Sequence, residues 1–493
     1  MKLNSKNKEN KMFAGLDFGT SNCSIGIIEQ NEPVLIPLED GETTIPSCVF
    51  LEHGVIKPEK VSETDLLARV KAEKAAQTQR AKSETDARVF TDAELINIFR
   101  KVIRAENRED AKTNQRMQTV MEALTLSDDI IIGREAELAH ITNPENGFYI
   151  KSPKSFLGAK ITKAQQGIFA SVIEKMLAFI KEESEYIKGI ELESVVIGRP
   201  VNFHGLQEKD GNSQALSILT SAAKKVGFKN IEFLMEPLAA AYDYERQLSQ
   251  DKVVLIIDLG GGTTDCSVVK LGPSYINSDI RESNILGCSG KRIGGIDIDN
   301  KLALMGIMPH FGKDIILTND LPIPPTLFRQ AVCVNDVAAQ REFNSNRTGV
   351  ELQRYCYMSL DNRIERLKKL RDDKLGLKLN KSSELTKIAL STKHLTEVNL
   401  DYIESNLHIS VSRDQLGDAI SGELKQIESI VNESLLQSGA KPDTIFVTGG
   451  TAISPVIKQW ISSMFPDTEI VIGNHFGSVT SGLITHAQRI FGN

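Results

Sequence analysis

The sequence predicts an α/β protein built twice, as two lobes that each pack helices around a central mixed sheet. Three observations lead there. Two Gly-rich loops opened by an aspartate lie about half a chain apart, Asp17-Phe18-Gly19-Thr20-Ser21-Asn22 and Asp258-Leu259-Gly260-Gly261-Gly262-Thr263-Thr264-Asp265. Each follows an apolar run (Met12 to Leu16, Val253 to Ile257) and precedes a second β-rich run (Cys23 to Ile28, Cys266 to Leu271), so each reads as a hairpin tip. Beyond each hairpin, strand patterns alternate with helical ones, as in α/β folds whose ligands bind past the carboxyl ends of the strands.

Length and composition agree with two lobes. At 493 residues the chain exceeds what one core supports. Lobe I is expected over residues 1–250, with an inserted helical subdomain at about 51–150; lobe II over 251–493, with an insertion at about 300–412. Hydrophobic content of 41% and charged content of 25% are those of a soluble globular protein. A net charge of −7 leaves no basic excess for a nucleic acid partner. The longest apolar runs are too short for a membrane, and Met1 to Lys11 is a polar, basic tail rather than a signal peptide. The six cysteines show no C-x-x-C pairing and the eight histidines are dispersed, so neither a zinc site nor a disulfide framework is expected. A cytoplasmic location follows from the reduced thiols.

The elements follow in order. After the first hairpin the chain runs as strand to Phe50 and resumes at Ile130-Ile131-Ile132-Gly133. A helix from about Lys163 to Lys188 carries Ile168, Val172, Met176 and Phe179 on one face, opened by a Thr162/Gln165 capping box. Next come strand Ser194 to Gly198, a helix with Leu216, Leu219, Ala223 and Val226 stopped at Gly227, strand Ile231 to Leu234, and Glu236-Pro237 leading into a helix from Leu238 to Gln247. The second half repeats this, with helices near Asp297 to Ile307 and Asp414 to Ser438, strand Thr444 to Val447, and a last helix from Ser481 to Phe491. Two segments break the rhythm. Val61 to about Leu126 reads as inserted helices with an apolar patch at Leu95, Ile96, Phe99, Val102 and Ile103. Phe311 to about Ser383 is irregular around Pro322, Pro324 and Pro325, then helical from Leu352 to Arg371.

The paired loops point to phosphate. Glycines let backbone N–H groups approach phosphate oxygens, forming an anion-binding concavity. The leading aspartates suit a hydrated Mg²⁺ held between carboxylate and phosphates.

With these motifs in place, the chain resembles the ATPase domain of the seventy-kilodalton heat-shock family, within the actin and sugar-kinase superfamily. Asp17 to Asn22 resembles its first phosphate motif, Asp258 to Asp265 its second, and Arg292-Ile293-Gly294-Gly295-Ile296-Asp297-Ile298-Asp299 its connecting motif. Phe446-Val447-Thr448-Gly449-Gly450-Thr451 resembles the adenosine motif, and Glu236 to Ala241 the segment joining the lobes. The resemblance implies an actin-like fold with ATP or ADP and Mg²⁺ in the cleft between the lobes, which are expected to meet mainly through the nucleotide. It places Lys154 on the family's catalytic lysine. Asp17 and Asp258 would hold the metal through water. Amides around Gly19, Thr20, Ser21 and Asn22, and around Gly260, Gly261, Gly262 and Thr264, would cradle the phosphates, with Glu236 and Thr263 completing the water network. Gly294, Gly295 and Asp297 belong to the connecting motif. Glu384, Lys387 and Ser391 match the ribose and purine side, Gly449, Gly450 and Thr451 the adenosine loop, and Ile388 and Ile453 stand where that family stacks arginines on adenine. The chain ends after the ATPase domain, so the peptide-binding sandwich and lid are expected to be absent.

The implied activity is slow, Mg-dependent ATP hydrolysis in a chaperone-like protein acting on a protein partner or client of unknown identity. For Glu236 a second role, complementing a helix N-terminus, is equally open. An actin-like filament former is the alternative; Lys154 and the charged insertions stand against it. A small-molecule kinase is the weakest reading, because no carboxylate motif offers a base for an acceptor hydroxyl.

Overall fold

The computed structural model describes residues 11–52, 63–80, 90–96, 98–99, 130–142, 147–203, 208–276, 281–473 and 477–492. Two compact units emerge: residues 1–50, 131–145 and 149–493 in one, and 51–130 with 146–148 in the other. In the smaller unit, α1 (Glu63–Arg80) buries Leu66, and Leu95 is buried as well. The backbone N–H of Phe90 donates to Gln77 Oε1 at 3.2 Å, and Lys74 pairs with Asp92. Val102 and Ile103 of the expected apolar patch lie outside the described residues.

The larger unit holds both lobes, and its two main sheets repeat one topology. In lobe I, β1 (Lys11–Phe18), β2 (Asn22–Glu29), β3 (Glu32–Leu35), β4 (Glu191–Arg199) and β5 (Asn230–Met235) lie in the order β3-β2-β1-β4-β5. In lobe II, β6 (Lys252–Leu259), β7 (Thr264–Leu271), β8 (Ile285–Lys291), β9 (Thr444–Thr448) and β10 (Glu469–Ile472) lie in the order β8-β7-β6-β9-β10. Three strands form an antiparallel meander in each lobe, and two parallel strands extend it from the first. The parallel strands need helical crossovers, which is why helices lie between them in sequence. This is the duplicated actin-like α/β fold.

The helices follow from local chemistry. After α2 (Gly133–Thr142), α3 (Lys163–Lys188) opens with the expected box: Gln165 N–H donates to Thr162 Oγ1 at 3.3 Å, and Thr162 N–H to Gln165 Oε1 at 2.9 Å. It ends at Gly189, whose φ of 63° closes the last turn. The crossover helix α4 (Glu208–Lys225) leads to β5, which runs directly into α5 (Glu236–Glu245). In lobe II, α6 (Gly295–Leu302) continues as a π-turn over Ala303–Ile307. The inserted helices are α7 (Pro325–Val332), α8 (Val337–Phe343), α9 (Asn346–Met358), α10 (Arg363–Asp372) and α11 (Gly376–Leu390). The helix expected from Leu352 to Arg371 is thus split, because Ser359 turns the chain and its Oγ accepts from Asp361 N–H at 3.0 Å. Then come α12 (Arg413–Ser438), α13 (Pro455–Met464) and α14 (Ser478–Phe491).

One expectation is corrected by packing. The lobes do not rely on a ligand to meet. Val196 of lobe I, Val254, Ile256 and Phe446 of lobe II, and Ala239 to Tyr242 and Leu483 of α5 and α14 form one apolar cluster. Tyr244 stacks on Phe446 at 4.5 Å between ring centres. A Cβ on Gly482 would lie 1.7 Å from Ala239 O, so α14 and α5 touch backbone to backbone.

Candidate functional site

The two Gly-rich loops occupy equivalent places. Asp17 pairs with Ser24 across β1–β2, and Asp258 with Asp265 across β6–β7, leaving residues 19–21 and 260–263 as the tips. The tips face each other closely. A Cβ on Gly261 would lie 1.8 Å from Ser21 Oγ, and one on Gly262 would lie 2.5 Å from Thr20 Cγ2. The second tip is fastened from behind. Gly295 N–H donates to Gly260 O at 3.0 Å, Ile296 N–H to Gly261 O at 2.9 Å, and Thr264 Oγ1 to Ile293 O at 2.7 Å.

Between the tips and α11 opens a cleft of about 340 Å³. Asp17, Gly19, Thr20, Ser21 and Asn22 line it from lobe I, and Glu236 from the start of α5. Lobe II contributes Asp258, Gly260, Gly261, Thr263, Gly295, Glu384, Lys387, Ile388, Gly449, Gly450, Thr451 and Ile453. Lys154 and Gly262 instead line a smaller cavity shared with Thr20 and Thr263. Thr264, Gly294, Asp297 and Ser391 line neither. Thr264 is spent on Ile293, Gly294 N–H donates to Asp297 Oδ2 at 2.9 Å, and Ser391 Oγ turns back to Lys387 O at 3.4 Å.

Other lining residues were not singled out from sequence. Lys381 of α11 lies 3.3 Å from Glu137 Oε2 of α2 and 3.2 Å from Glu384 Oε2. Lys387 Nζ lies 2.8 Å from Asp299 Oδ1, and Lys151 also faces the cleft. Lys381, Glu384 and Lys387 share one helix face by their three-residue spacing, so Lys381 carried a signal. Glu137 and Lys151 carried none, since only the fold brings them opposite α11.

The floor of the cleft is strongly acidic. Asp17, Glu236 and Asp258 line it, Asp265 lies behind them within reach of their charges, and Lys154 is the buried cation beside them, paired with Glu236 and donating to Gly198 O at 3.5 Å. Burial, reinforced by the Glu236 charge, pushes Asp17 up to about 7 against the pull of Lys154. Asp265 also reaches about 7, through burial and Glu236, while its Oδ1 accepts from Val201 N–H of lobe I at 3.0 Å. Asp258 rises well above the ordinary carboxylate range through burial and the charges of Glu236, Asp265 and Asp17. Burial pulls Lys154 down, yet Glu236 and Asp17 hold it above its usual value.

This donor set fits a hard divalent cation with its waters. Carboxylates held in excess over their one buried counter-charge are what such an ion offsets. Among the described residues no three His, Cys, Asp or Glu side chains converge as direct ligands, so Asp17 and Asp258 suit contact through water. Glycines at both tips suit phosphate as well, since a backbone without side chains lets N–H groups approach an anion closely.

A family model described as MreB/Mbl protein matches residues 161–284. The match supports the actin-like ATPase superfamily. It runs from α3 through the whole second hairpin, and so takes in Glu236 and the second tip. It does not extend to a specific heat-shock assignment, and it overturns the chaperone reading: the family points to an actin-like, filament-forming ATPase. The physical reason for the error is that the paired tips and connecting motif report nucleotide handling, which the superfamily shares, and not its use. Among the described residues no helix is long and apolar enough to cross a membrane.

Proposed function

We propose that the chain is an actin-like ATPase that assembles with copies of itself when its cleft holds Mg-ATP. The observation that carries this reading is the MreB/Mbl match across α3 to β7, together with the facing tips it partly covers. ATP would supply the phosphoryl group, and Mg²⁺, when bound, would offset the charge of its phosphates. Asp17 and Asp258 would hold the cation through its waters. Backbone N–H groups of residues 19–21 and 260–263 orient the phosphates. Glu236, fixed by Lys154, would take the proton of the attacking water as that water's oxygen bonds to the γ-phosphorus and the bond to the ADP oxygen breaks, and Lys154 Nζ would offset the charge that develops on the transferred group. Ile388 and Ile453 flank the base by apolar contact, which favours micromolar rather than nanomolar affinity. Turnover is slow, and the partner is a second copy of the chain.

Sedimentation and light scattering with Mg-ATP, Mg-ADP and no nucleotide test this. Assembly with Mg-ATP is expected, with phosphate released without any added acceptor. Hydrolysis with no assembly at any concentration defeats the filament reading. An unchanged melting temperature with nucleotide at a hundredfold excess over Kd, where about 2.7 kcal/mol is expected, defeats the nucleotide site itself.

A further inference from the structure

A chain of three amides, two of them buried, runs behind the cleft through lobe II. Asn380 Nδ2 on α11 donates to Asn300 Oδ1 on α6 at 3.2 Å. Asn300 Nδ2 donates to Asn335 Oδ1 at 2.9 Å, and Asn335 Nδ2 to Asp297 Oδ1 at 3.2 Å. The other oxygen of Asp297 accepts from Gly294 N–H at 2.9 Å, and the next two N–H groups hold the carbonyls of Gly260 and Gly261. Every amide donates in one direction, toward a carboxylate. A chain so polarised strengthens as a whole, and breaking one member weakens the rest.

Asn300 and Asn380 are only 6% and 3% exposed, positions where an apolar side chain would ordinarily serve packing as well. Asn335 lies in the turn between α7 and α8 and is gripped twice by the connecting motif, since Arg292 Nη2 also donates to its carbonyl at 3.2 Å. The chain therefore begins at the second tip and ends on α11, which bears Glu384, Lys387 and Ile388 on the cleft wall.

We propose that Asn300, Asn335 and Asn380 are positioning residues that transmit the state of the second tip to α11, so that the presence of a terminal phosphate is felt at the base-side wall and in the inserted helices of lobe II. The inference rests on the nucleotide reading of the cleft. The bistable element is the tip, filled or not by phosphate, and α6 moves with it because its first two N–H groups are bonded to the tip.

Hydrogen exchange on the full chain tests it, comparing Mg-ADP with Mg and a non-hydrolysable ATP analogue. In the wild type, peptides covering 376–390 should exchange differently in the two states. In Asn335→Ala and Asn300→Asp that difference should shrink at least about threefold, while peptides covering 255–265 keep theirs. A merely structural role would change exchange equally in both states. Persistence of the difference at 376–390 in either folded variant overturns the proposal, as does its absence from the wild type. Asn335→Ala, in a half-buried turn, decides the matter if Asn300→Asp fails to fold. If neither nucleotide protects 255–265 in the wild type, the functional reading fails, and the relay with it.

Discussion

The two phosphate tips share a topology but are held by different forces. Around the first, the support is ionic: Asp17 faces Glu236 and depends on Lys154, which is buried and paired with Glu236. Around the second, the support is backbone: the carbonyls of Gly260 and Gly261 accept from Gly295 and Ile296, and Thr264 is tied to Ile293. Charge is adjustable by protons and cations, whereas a backbone ladder is not. The support around Asp17 should therefore respond to charge and pH, whereas the backbone ladder behind the second tip should hold whatever the charge.

The largest expected effect tests the ionic side. Lys154→Met removes the buried cation and leaves Glu236, Asp17 and Asp258 facing one another. Breaking one partner of a buried pair costs about 3–5 kcal/mol. Urea unfolding of the chain without ligand should show a loss of that size, recovered in large part by adding Glu236→Gln. Phosphate release should fall at least about tenfold. A loss under about 1 kcal/mol would mean that Lys154 is not the counter-charge of the cleft.

Next comes pH. Asp17 and Asp265 rise from 3.8 to about 7 on folding. Between those values the folded state holds protons that the unfolded state has released, so the stability these two groups contribute falls as pH rises through that window and is lost above about 7. The loss is on the order of 4 kcal/mol for either group taken alone, and less than twice that for the two together because their titrations are coupled. Unfolding free energies at pH 5, 6, 7 and 8 (set roughly by the window's edges) without divalent cations measure it. Asp265→Asn should flatten part of the slope, and Mg²⁺ with nucleotide should flatten it further. Stability rising across the window would contradict the burial of these carboxylates.

Much of this was legible in the sequence, for a physical reason. Hairpin tips are contiguous, so Asp17 to Asn22 and Asp258 to Thr263 declared their glycines, leading aspartates and flanking strands together. The Thr162/Gln165 box and the stop at Gly227, whose φ is 98°, are equally local. Thr264, Gly294, Asp297 and Ser391 were assigned with their motifs, and the structure sets them behind the cleft wall. Alternation along β7 turns Thr264 away from the phosphate side and under Ile293. Glu137 and Lys151 were not legible, and Asp299 was legible only as the end of the connecting motif, since the meeting of all three with α11 depends on how the chain folds back. Glu236 to Ala241 was legible as the segment joining the lobes, but its packing was not: only the fold brings Gly482 against Ala239, and that close approach shows why small residues are needed there.

A smaller effect tests shape at the meeting of the tips. A methyl on Gly261 must displace Ser21, whose Oγ would stand 1.8 Å away, whereas a methyl on Gly19 meets Asn22 O of its own tip at 2.3 Å. Gly261→Ala should weaken Mg-nucleotide affinity about tenfold while leaving ligand-free stability nearly unchanged, because the lobes are held elsewhere by α5 and α14. Gly19→Ala should lower both. Calorimetric titration paired with melting curves separates the two outcomes, and equal stability losses in both variants would dissolve the distinction.

The smallest effect isolates the backbone support of the second tip. Thr264→Val keeps the shape and the β-branching of the side chain but removes the hydroxyl that donates to Ile293 O at 2.7 Å. One neutral hydrogen bond contributes about 1 kcal/mol, and the carbonyl left behind is buried. Because Gly260 and Gly261 keep their own bonds to Gly295 and Ile296, the tip should hold its form. Stability should therefore drop by about that amount, with the pH slope unchanged, since no charge is touched. A changed pH slope in this variant would show that the second tip, too, is governed by the carboxylates, and the contrast between an ionic and a backbone-held loop would not stand.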